Sequence, residues 1–139
     1  MKTKIKILIV SVVSVLIMAC ATGPIKLPER YNFENKLEEV NKIYQFKIKG
    51  WQSVDYQSLI IETNVNDYYL LVLQRPAPSL PFSEAIGITL TVDHVRPGFD
   101  NVIVSDSAGT ESYIISKIYK FKDHKQALEI KEQIKKSKS

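Results

Sequence analysis

The apolar positions of this chain change period several times. Residues 7–21, Ile-Leu-Ile-Val-Ser-Val-Val-Ser-Val-Leu-Ile-Met-Ala-Cys-Ala, carry no charge. A run of 15 falls short of the ~20 residues that a helix needs to cross a bilayer. Phe33, Leu37, Val40 and Tyr44 then recur at steps of four, three and four, with Glu34, Glu38 and Glu39 between them. That stripe predicts a short amphipathic helix over 33–43, with Asn32 as its N-cap. From Phe46 the period is two. Phe46 and Ile48 alternate with Lys47 and Lys49 until Gly50 interrupts, and Trp51 falls on the opposite parity. A glycine that breaks alternation inside a strand predicts a bulge or a sharp bend.

Leu59-Ile60-Ile61 and the run Tyr68 to Leu73 are dense apolar segments separated by Asn64-Val65-Asn66-Asp67, a turn signal, so they predict a β-hairpin. By strand parity one ring of the Tyr68-Tyr69 pair is buried and the other at least partly exposed. The prolines of Arg75-Pro76-Ala77-Pro78-Ser79-Leu80-Pro81 predict a long exposed connection. Ile86, Ile88, Leu90 and Val92 alternate with Gly87, Thr89, Thr91 and Asp93, one apolar face and one polar face. Pro97-Gly98 has the residue order of a type II turn. Val102-Ile103-Val104 and Tyr113 to Phe121 supply two further strands. Asp123 and Gln126 have capping-box spacing, and Ala127, Ile130 and Ile134 share one face of a C-terminal helix. About six strands at hairpin spacing, without helices between them, predict a mainly β (α+β) fold. It is a small antiparallel curled sheet or partial barrel, with a short N-terminal helix and a C-terminal helix.

Charge changes the picture at the N-terminus. The formal charge of +4 includes Lys2, Lys4 and Lys6, and the remaining chain is close to neutral. A nearly neutral domain gives no support to nucleic-acid binding. A positive start followed by a short apolar run fits an export signal. Its end, Ile17-Met18-Ala19-Cys20, resembles the bacterial lipobox, with an aliphatic residue three before the Cys and a small residue just before it. The resemblance implies cleavage between Ala19 and Cys20 and lipid attachment at the Cys20 thiol. Two or three acyl chains, at ~0.8 kcal/mol per buried methylene, hold a protein durably where one does not. The expected organisation is a lipoprotein signal peptide at 1–19, a lipidated Cys and tether at 20–31 and a single domain at 32–139. Ala21 stands where an inner-membrane retention signal would place Asp. For a cell with two membranes, the resemblance therefore implies an outer-membrane anchor facing the periplasm.

A second resemblance covers about residues 45–120. Gly50-Trp51-Gln52-Ser53-Val54-Asp55, Leu59-Ile60-Ile61, Tyr69-Leu70-Leu71-Val72-Leu73, Ile86-Gly87-Ile88 and Phe99-Asp100-Asn101-Val102-Ile103-Val104 stand in an order similar to a family of short bacterial envelope proteins of unknown function. Members commonly carry one Cys in the Pro-rich loop and another opening the last strand. Here those places hold Ala77 and Tyr113, so the loop-tying disulfide implied by the family is absent.

The chemical inventory is thin. One Cys excludes an internal disulfide and a multi-Cys zinc site, and neither a metal nor a cofactor is expected. His94 and His124 are the only imidazoles, and no strained nucleophile turn accompanies them. Asp55, Asp67, Asp93, Asp100 and Asp106 fall at turns, where aspartate usually bonds its own backbone. Trp51, Asp55 and Asp100 are the candidate ligand or partner contacts, Asp100 because it directly precedes an apolar strand. Residues 117–139 hold eight Lys against Asp123, Glu129 and Glu132, a basic segment suited to anionic headgroups or an envelope protein. The expected role is a non-enzymatic binding or accessory module of the cell envelope. The alternatives are a small-ligand-binding barrel and a hydrolase-type enzyme around Trp51, Asp55 and Asp100. A filled core favours the first, an apolar cavity the second, and a cleft with convergent polar groups the third.

Overall fold

The computed structural model describes residues 26–44 and 47–137. Its strands are β1 (Glu38–Glu39), β2 (Ile43–Tyr44), β3 (Ile48–Ser53), β4 (Ser58–Thr63), β5 (Tyr68–Leu73), β6 (Ala85–Ile88), β7 (His94–Val95), β8 (Asn101–Asp106) and β9 (Gly109–Lys120). One helix, α1 (His124–Lys136), closes the chain. The main sheet has the order β3-β4-β5-β9-β8-β6, with β1 added to β9, and β2 pairs β7 separately. Every pairing is antiparallel. The fold is thus the expected mostly β domain: a curled six-strand half-barrel with a C-terminal helix.

The curl comes from β9. Its first half pairs β8, from Asn101↔Ile114 to Asp106↔Gly109, and its second half pairs β5, from Leu73↔Ile115 to Tyr69↔Lys120. Between Val72 and Leu73 the register slips, giving β9 an extra residue. Tyr113 and Ile115 point into the inner core, and after the slip Ile118 does so too. Tyr119 then faces the opposite layer, with Ile60, Leu70 and Val72 of the sheet and Ala127, Ile130 and Ile134 of α1. Strands β4 and β5 are buried on both faces, which is why they read as dense apolar runs rather than alternating ones.

Several predicted elements are present. The β3–β4 register shifts between Ile48 and Gly50, the bulge that the broken alternation implied. The β4–β5 hairpin forms, with Tyr69 buried and Tyr68 partly exposed. Arg96-Pro97-Gly98-Phe99 closes with Phe99 N–H donating to the Arg96 carbonyl at 3.3 Å, Gly98 at φ +84. Asp123 caps α1 by accepting from Gln126 N–H at 2.8 Å, and Gln126 reaches back to Lys122 N–H.

Three expectations are corrected. The N-terminal helix over 33–43 does not form. Asn32 accepts from Glu34 N–H and one turn closes on the Phe33 carbonyl, but the chain then extends into β1 and β2. The edge of β9 offers Glu38↔Lys120 and Glu39↔Tyr119 pairing, and Val40 N–H donates to the Ile118 carbonyl at 2.9 Å. A short isolated helix is marginal, so a ready strand edge wins. The tether expected over 20–31 is docked by its end: Leu27 packs on the helix-side core, Glu29–Tyr31 form a 3-10 turn and Tyr31 is fully buried. The Pro-rich connection is exposed at Arg75, Pro76, Pro78 and Phe82 as expected, and is corrected only in part: Ala77 and Leu80 turn inward, with Ala77 N–H donating to the Tyr56 carbonyl at 2.6 Å. Ala77 and Tyr113, the places of the missing cysteines, share the inner core.

Leu71, completely buried between the layers, is expected to cost about 2–5 kcal/mol when cut to Ala. Leu128→Ala, on the exposed side of α1, is expected to change stability by no more than about 0.5 kcal/mol. Urea unfolding of both variants checks the pair, and equal losses would contradict the two-layer core.

Candidate functional site

Asp55 sits in the connection between β3 and β4 and is buried. Its Oδ1 accepts from Gln57 N–H and Ser58 Oγ, each at 2.8 Å, and its Oδ2 accepts from the Tyr31 hydroxyl at 2.7 Å. The Arg30 guanidinium lies 3.6 Å from Oδ2 and stacks over the Tyr31 ring at 4.7 Å. Burial pushes the Tyr31 phenol well above the ordinary tyrosine value, and its bond to the Asp55 carboxylate acts in the same direction. The group therefore ties the N-terminal segment to the β3–β4 turn.

Asp100 does comparable work elsewhere. Its Oδ2 accepts from Arg96 N–H at 2.7 Å, and its oxygens take the hydroxyls of Thr89 at 3.2 Å and Thr91 at 3.0 Å. Its own carbonyl accepts from Ile115 N–H at 3.0 Å. One buried carboxylate thus fastens the segment after β6, the Arg96 turn and β9. Trp51 is partly buried against the inner core, opposite Ile61 of β4. No hydrogen bond among the described residues joins the Asp55 and Asp100 networks, and each carboxylate is occupied by donors of the fold itself.

The alternation expected to run from Ile86 to Val92 ends at Ile88. Asp100 draws Thr89 and Thr91 to itself, and Thr91 closes a two-residue turn on His94 through Thr91 N–H to His94 C=O at 3.0 Å. Leu90 and Val92 are left exposed, Val92 at φ +67. His94 contacts Asp93 through Nδ1 at 2.8 Å and tilts against Tyr44 at 5.7 Å. His124 stacks on Tyr68 at 5.1 Å. This exposed apolar tip went unforeseen because its residues alternate as a core strand would.

The surface depressions are shallow in chemistry. One of about 420 Å³ lies between residues 26–32 and Ser116–Lys117. Two neighbours, of about 360 and 620 Å³, share Ser79 and Asp106. Two of their acidic groups have structural partners: Asp106 accepts from Ala108 and Gly109 N–H, and Glu111 accepts from the Tyr113 hydroxyl. Arg75 lies over the Tyr113 ring at 4.2 Å. Among the described residues no three His, Cys, Asp or Glu side chains gather to hold a metal ion. The basic C-terminal segment is not one patch. Lys117 pairs with Glu34, Lys120 with Asp67, and Lys131 bonds Gln52, while Lys122, Lys125 and Lys135 are exposed on or beside α1. No helix among the described residues is long and apolar enough to cross a membrane. Ala19 and Cys20 lie outside the described residues.

These features define a small half-barrel domain with a side-chain-filled interior and buried carboxylates committed to its turns. By sequence, the chain belongs to a family of unknown function (DUF6491), whose pattern matches residues 1–137. No curated protein and no solved structure matches it.

Two outcomes follow for the carboxylates. Asp100→Ala strands the Arg96 N–H and two threonine hydroxyls, at roughly 1–3 kcal/mol for each buried donor left unpaired. Denaturant unfolding reads this, and a loss below ~1 kcal/mol would rule out the fastening role. Tyr31→Phe should cost about 1–3 kcal/mol at neutral pH. A raised phenol value in the fold stabilises it below the unfolded value of about 10 and is lost as pH climbs through the folded value. The gap between wild type and Tyr31→Phe should therefore stay constant up to about pH 10 and shrink above it. A gap that widens there would show the opposite coupling.

Proposed function

We propose that this protein is a lipid-anchored accessory module of the bacterial cell envelope, with no catalytic task. The observation that carries the reading is Ile17-Met18-Ala19-Cys20 at the end of an uncharged run preceded by Lys2, Lys4 and Lys6. A thiol at that place is the acceptor for a diacylglyceryl group, and the single cysteine of the chain stands there. Two or more acyl chains give stable attachment through burial of methylenes. With Ala21 rather than Asp after the Cys, the destination in a two-membrane cell is the outer membrane, facing the periplasm.

The filled inner core supports an accessory role over a ligand-binding barrel. Leu59, Ile61, Leu71, Leu73 and Ile115 occupy the space where such a barrel would hold its ligand. Support for a non-catalytic role comes from Asp55 and Asp100, whose oxygens are taken up by donors of the turns that they hold. The exposed Lys122, Lys125 and Lys135 are the charged element available to an acidic envelope partner.

The reading is tested in the full chain. Growth with labelled fatty acid should put label on the wild-type protein, and mass spectrometry should find Cys20 as the modified first residue. Cys20→Ser should abolish the label and leave the leader uncut. Label retained in that variant would refute the anchor.

A further inference from the structure

Four of the large apolar side chains left exposed are Tyr44 and Phe99 at 67% exposure, Val92 at 89%, and Leu90. Contacts link them: Tyr44 pairs with His94, His94 closes the turn that carries Val92, and Asp100 ties Thr91 to the Arg96 turn that carries Phe99. They come from β2, the loop after β6 and the turn before β8, so the grouping is made by the fold. Val92 has the least favourable position of the four. It occupies the tip of the Thr91–His94 turn at φ +67, a region that β-branched residues avoid and that Asn or Gly would fill without strain. A site that is both strained and exposed gains nothing from valine within the domain, since the side chain buries almost nothing there.

The rim is basic. Arg96 lies over the Phe99 ring at 4.7 Å and Lys42 over the Tyr44 ring at 5.8 Å. Among the described residues of these segments Asp93 is the exposed acidic group, 77% exposed with one oxygen 2.8 Å from His94 Nδ1. Aromatic rings with Lys or Arg beside them, around an apolar point, suit the headgroup level of a bilayer, where rings sit and cations meet anionic phosphates.

The chain also places that surface near its own anchor. Residues 26–32 flank Ser116 and Lys117 of β9. The neighbouring Ile115 accepts from Gly98 N–H and donates to the Asp100 carbonyl, in the turn that carries Phe99. From Lys26 back to Cys20 the chain spans at most about 20 Å when extended. We infer that the tip formed by Leu90, Val92, Phe99 and Tyr44 docks into the headgroup region of the bilayer that holds the anchor, with Lys42 and Arg96 on its anionic lipids. The docking fixes how the domain stands on the membrane, and it rests on the lipid-anchored reading.

The test uses the full chain, purified with its attached lipid and reconstituted into phosphatidylethanolamine–phosphatidylglycerol vesicles with or without brominated acyl chains. Val92→Trp is compared with Val65→Trp, which places a Trp at the β4–β5 turn, where Val65 is 64% exposed and outside the Leu90–Phe99 segment. Phe99→Trp, an aromatic exchange at an unstrained position, serves if the first variant folds poorly. In a Trp51→Phe background, the Trp at 92 or 99 should blue-shift on the vesicles and be quenched by brominated chains, while the Trp at 65 shows neither effect; both effects should weaken when phosphatidylcholine replaces the anionic lipid. Protein on the vesicles with no quenching at either tip position, or equal quenching at 65, overturns the docking while leaving the anchor intact. Protein remaining in the supernatant after sedimentation removes the anchor, and the docking with it.

Discussion

Strand β9 belongs to both halves of the half-barrel, and the extra residue it carries opposite Val72 makes this possible. A strand with strict alternation shows one set of side chains to each face along its length. The register slip lets Tyr113, Ile115 and Ile118 all enter the inner core while Tyr119 turns to the layer under α1. Without it the second half of the strand would present the wrong faces to both cores. The bulge also redirects β9, so that β8 and β6 curl away from the plane of β4 and β5.

The curl leaves connections that would otherwise hang loose, and two buried carboxylates fasten them. Asp55 holds Tyr31 and the β3–β4 turn together, and Asp100 gathers the Thr89–Thr91 segment, the Arg96 turn and β9. In a domain this small, a carboxylate that accepts several internal donors replaces a core contact that the short sheet cannot provide. A buried aspartate in such a place looks like a reactive one until its partners are counted. Ala77 and Leu80 do the same for the Pro-rich loop by packing inward.

The proposed anchor and the proposed docking tip divide one task. Acyl chains attach the protein but allow it to turn on its tether, whereas a side-chain contact at the headgroups would fix which face meets the periplasm. The strained Val92 turn is consistent with that division: the free domain bears a conformational cost at a position where its own packing receives nothing.

Local pattern was enough for the elements whose stability is local. The Gly50 bulge, the Asn64–Asp67 hairpin turn, the Pro97-Gly98 turn and the Asp123 cap each depend on a few adjacent residues, and each could be read directly along the chain. The proposed anchor at Cys20 likewise rests on a linear pattern, the uncharged run that ends in Ile17-Met18-Ala19-Cys20. The stripe over 33–43 and the alternation over 86–92 misled because both were true patterns with more than one use. A strand edge on β9 claimed the first, and the Asp100 carboxylate claimed the threonines of the second. Those competitors come from residues 80 to 82 positions away in the first case and 9 to 11 in the second, and a period cannot see them. Which aspartates are buried, which apolar residues are left outside, and where residues 26–31 meet the sheet all depend on long-range pairing, so they belong to the folded chain alone.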